Sequence, residues 1–83
     1  MSTKNIEDNN LRKLGRILHL SKNKNLIIRT STPPQIGKKV IDGKHQKVGT
    51  VRDVFGPVEN PYVSVKPEVR NPEKYVGKIV YLF

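Results

Sequence analysis

The chain has 83 residues, with 16 Lys and Arg against 7 Asp and Glu and a formal net charge of +9. That length holds one domain with a small core, which excludes a deep catalytic cleft. The absence of cysteine excludes disulfides and thiolate metal sites, and no apolar run approaches a membrane span.

Residues 1–10 are polar, contribute −1 through Lys4, Glu7 and Asp8, and read as a disordered tail. The remaining +10 belongs to a folded body spanning 11–83. A basic body points to nucleic acid or to a complex containing it; a solvated lysine surface with no ligand is the equal alternative.

Leu14 to Leu20 is a strand candidate, Ser21 to Asn25 a turn by composition, and Leu26 to Thr30 a second strand rich in β-branched residues, so the pair reads as a hairpin. Pro33-Pro34 removes two backbone donors and makes 32–37 a connecting loop, with Ile36 expected to plug into the core. Lys39 to Ile41 is a short strand, followed by an Asp42-Gly43-Lys44 turn.

Val48 to Phe55 is the longest strand. Strict alternation would put Val48 and Val51 on opposite faces; a bulge near Gly49 brings them back to one face and bends the strand. After the 56–61 loop, Tyr62 to Lys66 alternates well and Pro67 ends it. Asn71-Pro72-Glu73 suits the start of a helical turn with Asn71 as cap. Val76 to Phe83 is the last strand, apolar on both faces and therefore central or covered. The sequence shows no internal repeat. Six short strands with Gly- and Pro-marked turns predict an all-β, six-stranded closed barrel.

Catalytic chemistry finds little support. His19, Asp53 and Ser64 are the candidates, and no spacing places them together. No metal-ligand spacing and no phosphate-binding glycine loop occurs, so no cofactor, metal or small-molecule substrate is expected. Tyr62 and Lys66 share one strand face and could stack a base beside a cation; core and rim packing is the stronger expectation for the aromatics.

The most informative segment is 54–66. Pro57 and Pro61 stiffen a loop that carries Phe55, Val58 and Tyr62. Rigid apolar loops lose little entropy on binding and suit protein interfaces; a barrel corner with these groups folded inward is the alternative.

The run Gly49-Thr50-Val51-Arg52-Asp53-Val54-Phe55-Gly56-Pro57-Val58-Glu59-Asn60-Pro61-Tyr62-Val63-Ser64-Val65-Lys66 resembles the central motif of the Gar subunit of box H/ACA ribonucleoproteins. The likeness extends to 14–19, 33–37 and 72–78, about 11–82 in all. It implies a barrel of the elongation-factor type and a non-catalytic subunit of the guide-RNA pseudouridylation complex. Its partner would be the dyskerin-family pseudouridine synthase, whose substrate handling and turnover in rRNA modification it would promote. Contact with the guide RNA would be indirect or weak.

The apolar set Phe55, Pro57, Val58, Pro61 and Tyr62, with Ile36, is expected to meet the synthase. Arg52, Lys66, Lys38 and Lys39 are expected near RNA. Eukaryotic relatives carry glycine–arginine-rich tails; this sequence has none, which fits an archaeal-like, cytoplasmic member. Two other readings are a free-standing RNA-binding barrel and a PRC-type interaction barrel, the latter suggested by Gly37 to Asp42 followed by Val48 to Val54.

Overall fold

The computed structural model describes residues 12–83. The expected tail over residues 1–10, and Leu11, lie outside them. Six strands run β1 (Arg12–Leu20), β2 (Leu26–Arg29), β3 (Lys39–Ile41), β4 (Lys47–Phe55), β5 (Tyr62–Pro67) and β6 (Ile79–Leu82), with a 3-10 helix at Pro72–Tyr75. They close into an antiparallel barrel in the order β1-β2-β5-β4-β3-β6, as the strand count predicts.

Leu14, Ile17, Leu26, Ile28, Val40, Val48, Val51, Val63, Val65, Val80 and Leu82 fill the interior, with Leu20, Val54 and Tyr75 against its rim. The short strands contribute alternate residues. The two nine-residue strands do not: β1 turns inward at Leu14, Ile17 and Leu20, β4 at Val48, Val51 and Val54. A period of three is incompatible with a regular strand and requires an extra residue between successive inward positions.

Both strands have it twice. In β1 the register slips between Lys13 and Gly15 against β6, and between Ile17 and His19 against β2. In β4 it slips against β3 where Val40 and Ile41 face Gly49 and Lys47, and against β5 between Val51 and Asp53. The bulge expected near Gly49 is present, and a second at Arg52 brings Val54 inward. Each bulge bends its strand, and the four together curl a six-stranded sheet into closure.

The slips match because the second half of the barrel repeats the first. The β1–β2 pairs Ile17↔Ile28, His19↔Ile27 and Leu20↔Leu26 correspond to the β4–β5 pairs Val51↔Val65, Asp53↔Ser64 and Val54↔Val63. The β1–β6 pairs Lys13↔Tyr81, Gly15↔Val80 and Arg16↔Ile79 correspond to Lys47↔Ile41, Gly49↔Val40 and Thr50↔Lys39 between β4 and β3. Gly37 N–H donates to Val51 O as Gly77 N–H donates to Ile17 O. The repeat that the sequence does not display is therefore present in the register.

Strand crossings are tight at Gly15 and Gly49. A Cβ on Gly49 would lie 2.2 Å from the Lys66 carbonyl oxygen, and one on Gly15 would lie 2.5 Å from that of Arg29. Only a residue without a side chain lets the backbones approach so closely.

Three local expectations are corrected. Ile36 does not plug the core: it is 66% exposed, and Pro34 is the buried residue of that loop. Asn71 makes no side-chain cap; the Lys74 N–H is taken by the Asn71 carbonyl instead. The last strand begins at Ile79, because Val76 to Lys78 form the turn whose Gly77 and Lys78 bond to Ile17.

One surface network is fully formed. Glu68 accepts from Thr50 Oγ1 at 2.7 Å and pairs with Lys47 Nζ at 3.1 Å. The Thr50 hydrogen bond first, and then that from Lys47, hold the Glu68 carboxyl below its ordinary pKa. A depressed carboxyl stabilises the fold above its unfolded pKa and loses that contribution as pH falls through the folded value. Stability is therefore expected to step down slightly as pH falls below about 4, the ordinary glutamate range, and Glu68→Gln should remove the step in a pH series of urea melts.

Candidate partner-binding surface

The loop between β4 and β5 stands out from the barrel. Val58 is 92% exposed at its tip, and Phe55 is 46% exposed at its base. Two constraints hold its ends. Pro61 is buried, and its carbonyl accepts the Thr30 N–H at 3.0 Å. Gly56 has φ +92, and a Cβ there would meet the Tyr62 ring at 3.0 Å. With Pro57 in between, the loop loses little conformational freedom when a partner covers it.

Tyr62 is half-buried within a ladder across three strands. It pairs with Phe55 on β4 and with Arg29 on β2. The Phe55 and Tyr62 rings stack at 5.7 Å with 24° between their planes, and the Arg29 guanidinium lies 5.6 Å from the Tyr62 ring centroid. Such a stack fixes the rotamers of both rings. Arg29 is the member that sequence reasoning missed, because the β2–β5 register is non-local and nothing beside Ile28 announces it.

Of the expected apolar set, Phe55, Pro57 and Val58 are exposed, Tyr62 is half-buried, and Pro61 is buried. Ile36 projects from the turn tied to Val51 by the Gly37 N–H···O and the Val51 N–H···O=C Lys38 bonds. Phe55 lies four residues beyond Val51 along β4.

The basic residues separate into two groups. Arg52, lifted outward by its bulge, lines a hollow of about 430 Å³ with Lys66, Lys24 and Arg70. Lys39 sits with Ile41, His45, Lys47 and Phe83, its Nζ 5.2 Å from the Phe83 ring, while Lys38 lies exposed beside the Ile36 turn.

The three candidate catalytic residues fall in one outer row, His19–Ile27–Ser64–Asp53. Ile27 stands between His19 and Ser64, which puts them two interstrand spacings apart, about 9.5 Å. That is the spacing of their backbones; among the described residues no side-chain hydrogen bond joins His19, Ser64 and Asp53. Among the described residues no group of three or more His, Asp or Glu could hold a metal, and no helix is long and apolar enough to cross a membrane.

Comparison with known proteins agrees with this architecture. The chain is 38% identical over 76 residues to an uncharacterized protein of Methanothermobacter thermautotrophicus, covering 87% of this chain and 83% of that one. It is 43% identical over 51 residues to an uncharacterized protein of Methanocaldococcus jannaschii, covering 61% and 62%. Among solved structures, the Gar1 domain of Naf1 shares the fold with a TM-score of 0.70 over 87% of this chain and 82% of that one, at 19% identity. Residues 11–82 match the family described as the Gar1/Naf1 RNA binding region. That match takes in every strand of the barrel, and the chain belongs to the Gar1/Naf1 family.

Proposed function

We propose that this chain is the non-catalytic small subunit of a box H/ACA guide-RNA pseudouridylation particle, working in the cytoplasm of an archaeal-like cell. It docks on the pseudouridine synthase subunit through the β4–β5 loop and promotes substrate handling and turnover there. The observation that carries this reading is the rigid, exposed apolar loop, with Pro57 and Val58 toward its tip and Phe55 at its base, braced by the Tyr62 stack. A small barrel gains nothing in its own stability by exposing Val58, whereas a partner that covers it gains apolar burial without having to order the loop. A standard interface would use roughly 800 Å² of this chain, enough to take in the Ile36 turn as well.

In this reading the isomerisation belongs to the synthase. The basic surface supports a place beside RNA and faster encounter with an RNA-bearing particle. The alternative of a free-standing RNA-binding barrel predicts tight, steeply salt-dependent RNA binding by the isolated chain. A gel shift with guide RNA decides between them: the subunit reading predicts weak, non-specific binding alone and stable incorporation once the synthase is added. Tyr62→Ala should weaken that incorporation about tenfold, about 1.4 kcal/mol, because it unseats Phe55. Tight binding of the chain to RNA alone, unchanged by the synthase, would favour the alternative.

A further inference from the structure

The two halves of the barrel share their register, but they part company at one place. Beside Gly49, β4 and β5 stay paired through Thr50↔Lys66 and Gly49↔Pro67. Beside Gly15, the pairing of β1 with β2 ends at Ile17↔Ile28, and a cleft of about 380 Å³ opens where the corresponding pairs would be.

The side chains differ in charge as well. Around Gly49, Lys47 and Thr50 converge on the Glu68 carboxylate. Lys13 and Arg16 hold the corresponding β1 positions by register. The position corresponding to Glu68 is Ser31, counting on from the equivalent close approaches Gly15 to Arg29 O and Gly49 to Lys66 O. Lys13, Arg16 and Ser31 all line the cleft, joined by Arg29 and Thr30, and among the described residues no carboxylate lines it. Arg16 donates one hydrogen bond to the Gly77 carbonyl at 2.9 Å, which leaves further guanidinium N–H groups for a ligand.

We propose that the cleft around Gly15 is an anion site, built from Lys13, Arg16 and Ser31, that takes a phosphate group of an RNA backbone in the place the Glu68 carboxylate fills in the other half. The phosphate part stands on this geometry alone; the RNA part rests on the function proposed above. An arginine fork with a lysine and a hydroxyl matches the oxygens of a phosphate by charge-assisted hydrogen bonds. The folded chain already shows that a carboxylate is held at the corresponding position of the second half.

Two measurements on the full chain test this. At constant ionic strength, inorganic phosphate should shift the amide resonances of Gly15, Arg16 and Ser31, and acetate should leave them in place. Ser31→Glu supplies the missing carboxylate from within and should abolish the phosphate shifts while the barrel stays folded. Gln46→Glu makes the same charge change in the exposed β3–β4 turn and should preserve them. With single-stranded RNA, Ser31→Glu should make the slope of log affinity on log salt shallower by about 0.7, one phosphate contact, relative to Gln46→Glu.

Phosphate shifts with an unchanged RNA slope would keep the anion site and overturn its assignment to an RNA backbone. Phosphate shifts that survive Ser31→Glu, no phosphate shifts at all, or acetate shifts in their place as for an acidic protein partner, would overturn the proposal even if RNA binds elsewhere.

Discussion

Val58→Asp is expected to weaken binding to the pseudouridine synthase at least a hundredfold, about 2.7 kcal/mol, and to leave the barrel as stable as before. The binding effect follows from placing an unpaired carboxylate at the tip of the apolar loop, where docking would strip it of water. The absence of a folding effect follows from the exposure of Val58, which contributes nothing to the core; surface changes of this kind stay within about 0.5 kcal/mol. Calorimetric titration and a thermal melt of the same sample read both halves. Equal affinity for variant and parent would remove the loop from the interface.

Gly49→Ala should be the most damaging single methyl in the molecule. The new Cβ would meet a backbone carbonyl on β5 at 2.2 Å, with Val65 Cγ1 at 2.9 Å. Neither is the free end of a flexible side chain, so β4 and β5 must separate. That breaks pairing in the part of the barrel where Lys47, Thr50 and Glu68 also connect the strands. A loss of about 3 kcal/mol or more is expected, a large share of a stability of roughly 4–12 kcal/mol for a chain of this size. In a thermal melt this is a fall of about 12 °C or more. Gly15→Ala should also destabilise, since its Cβ would meet the Arg29 carbonyl oxygen at 2.5 Å, but by less, because no β1–β2 pairing remains there to break. Gly43→Ala, with nothing within 4 Å of its Cβ, should be close to neutral. A Gly49→Ala variant that melts with the parent would contradict the packing described above.

These two residues illustrate what the sequence made legible. Gly49 announces itself locally: the valines on either side are three apart, and a strand can place both inward only with a bulge. The identical reasoning applies to Leu14, Ile17 and Leu20, yet there Leu18 makes the segment look continuously apolar and hides the period. The internal repeat is almost invisible in residue identities, because Leu14-Gly15 against Val48-Gly49 and Gly37-Lys38 against Gly77-Lys78 are nearly all that survives. What repeats is which residue opposes which across the strands, and that is a tertiary property.

The candidate surface divides the same way. Pro57 and Pro61, with Val58 between them, mark a stiff loop with an apolar tip from the sequence alone. The contribution of Arg29 depends on the non-local pairing of β2 with β5 and has no sequence signal. Ile36 reads two ways for a related reason. An apolar residue after two prolines is as well suited to a core as to an interface, and only the three-dimensional path of the loop, which buries Pro34 instead, decides. The anion cleft lies furthest from legibility, since it is defined by the carboxylate that one half of the barrel has and the other lacks.

The most direct test of the central claim is recovery of the tagged chain from its native extract at moderate salt, after nuclease treatment, with identification of what comes with it. A pseudouridine synthase is expected in near-stoichiometric amount, lost when Val58→Asp is used as bait. Recovery of ribosomal particles or of the chain alone, with no synthase in the eluate, would contradict it.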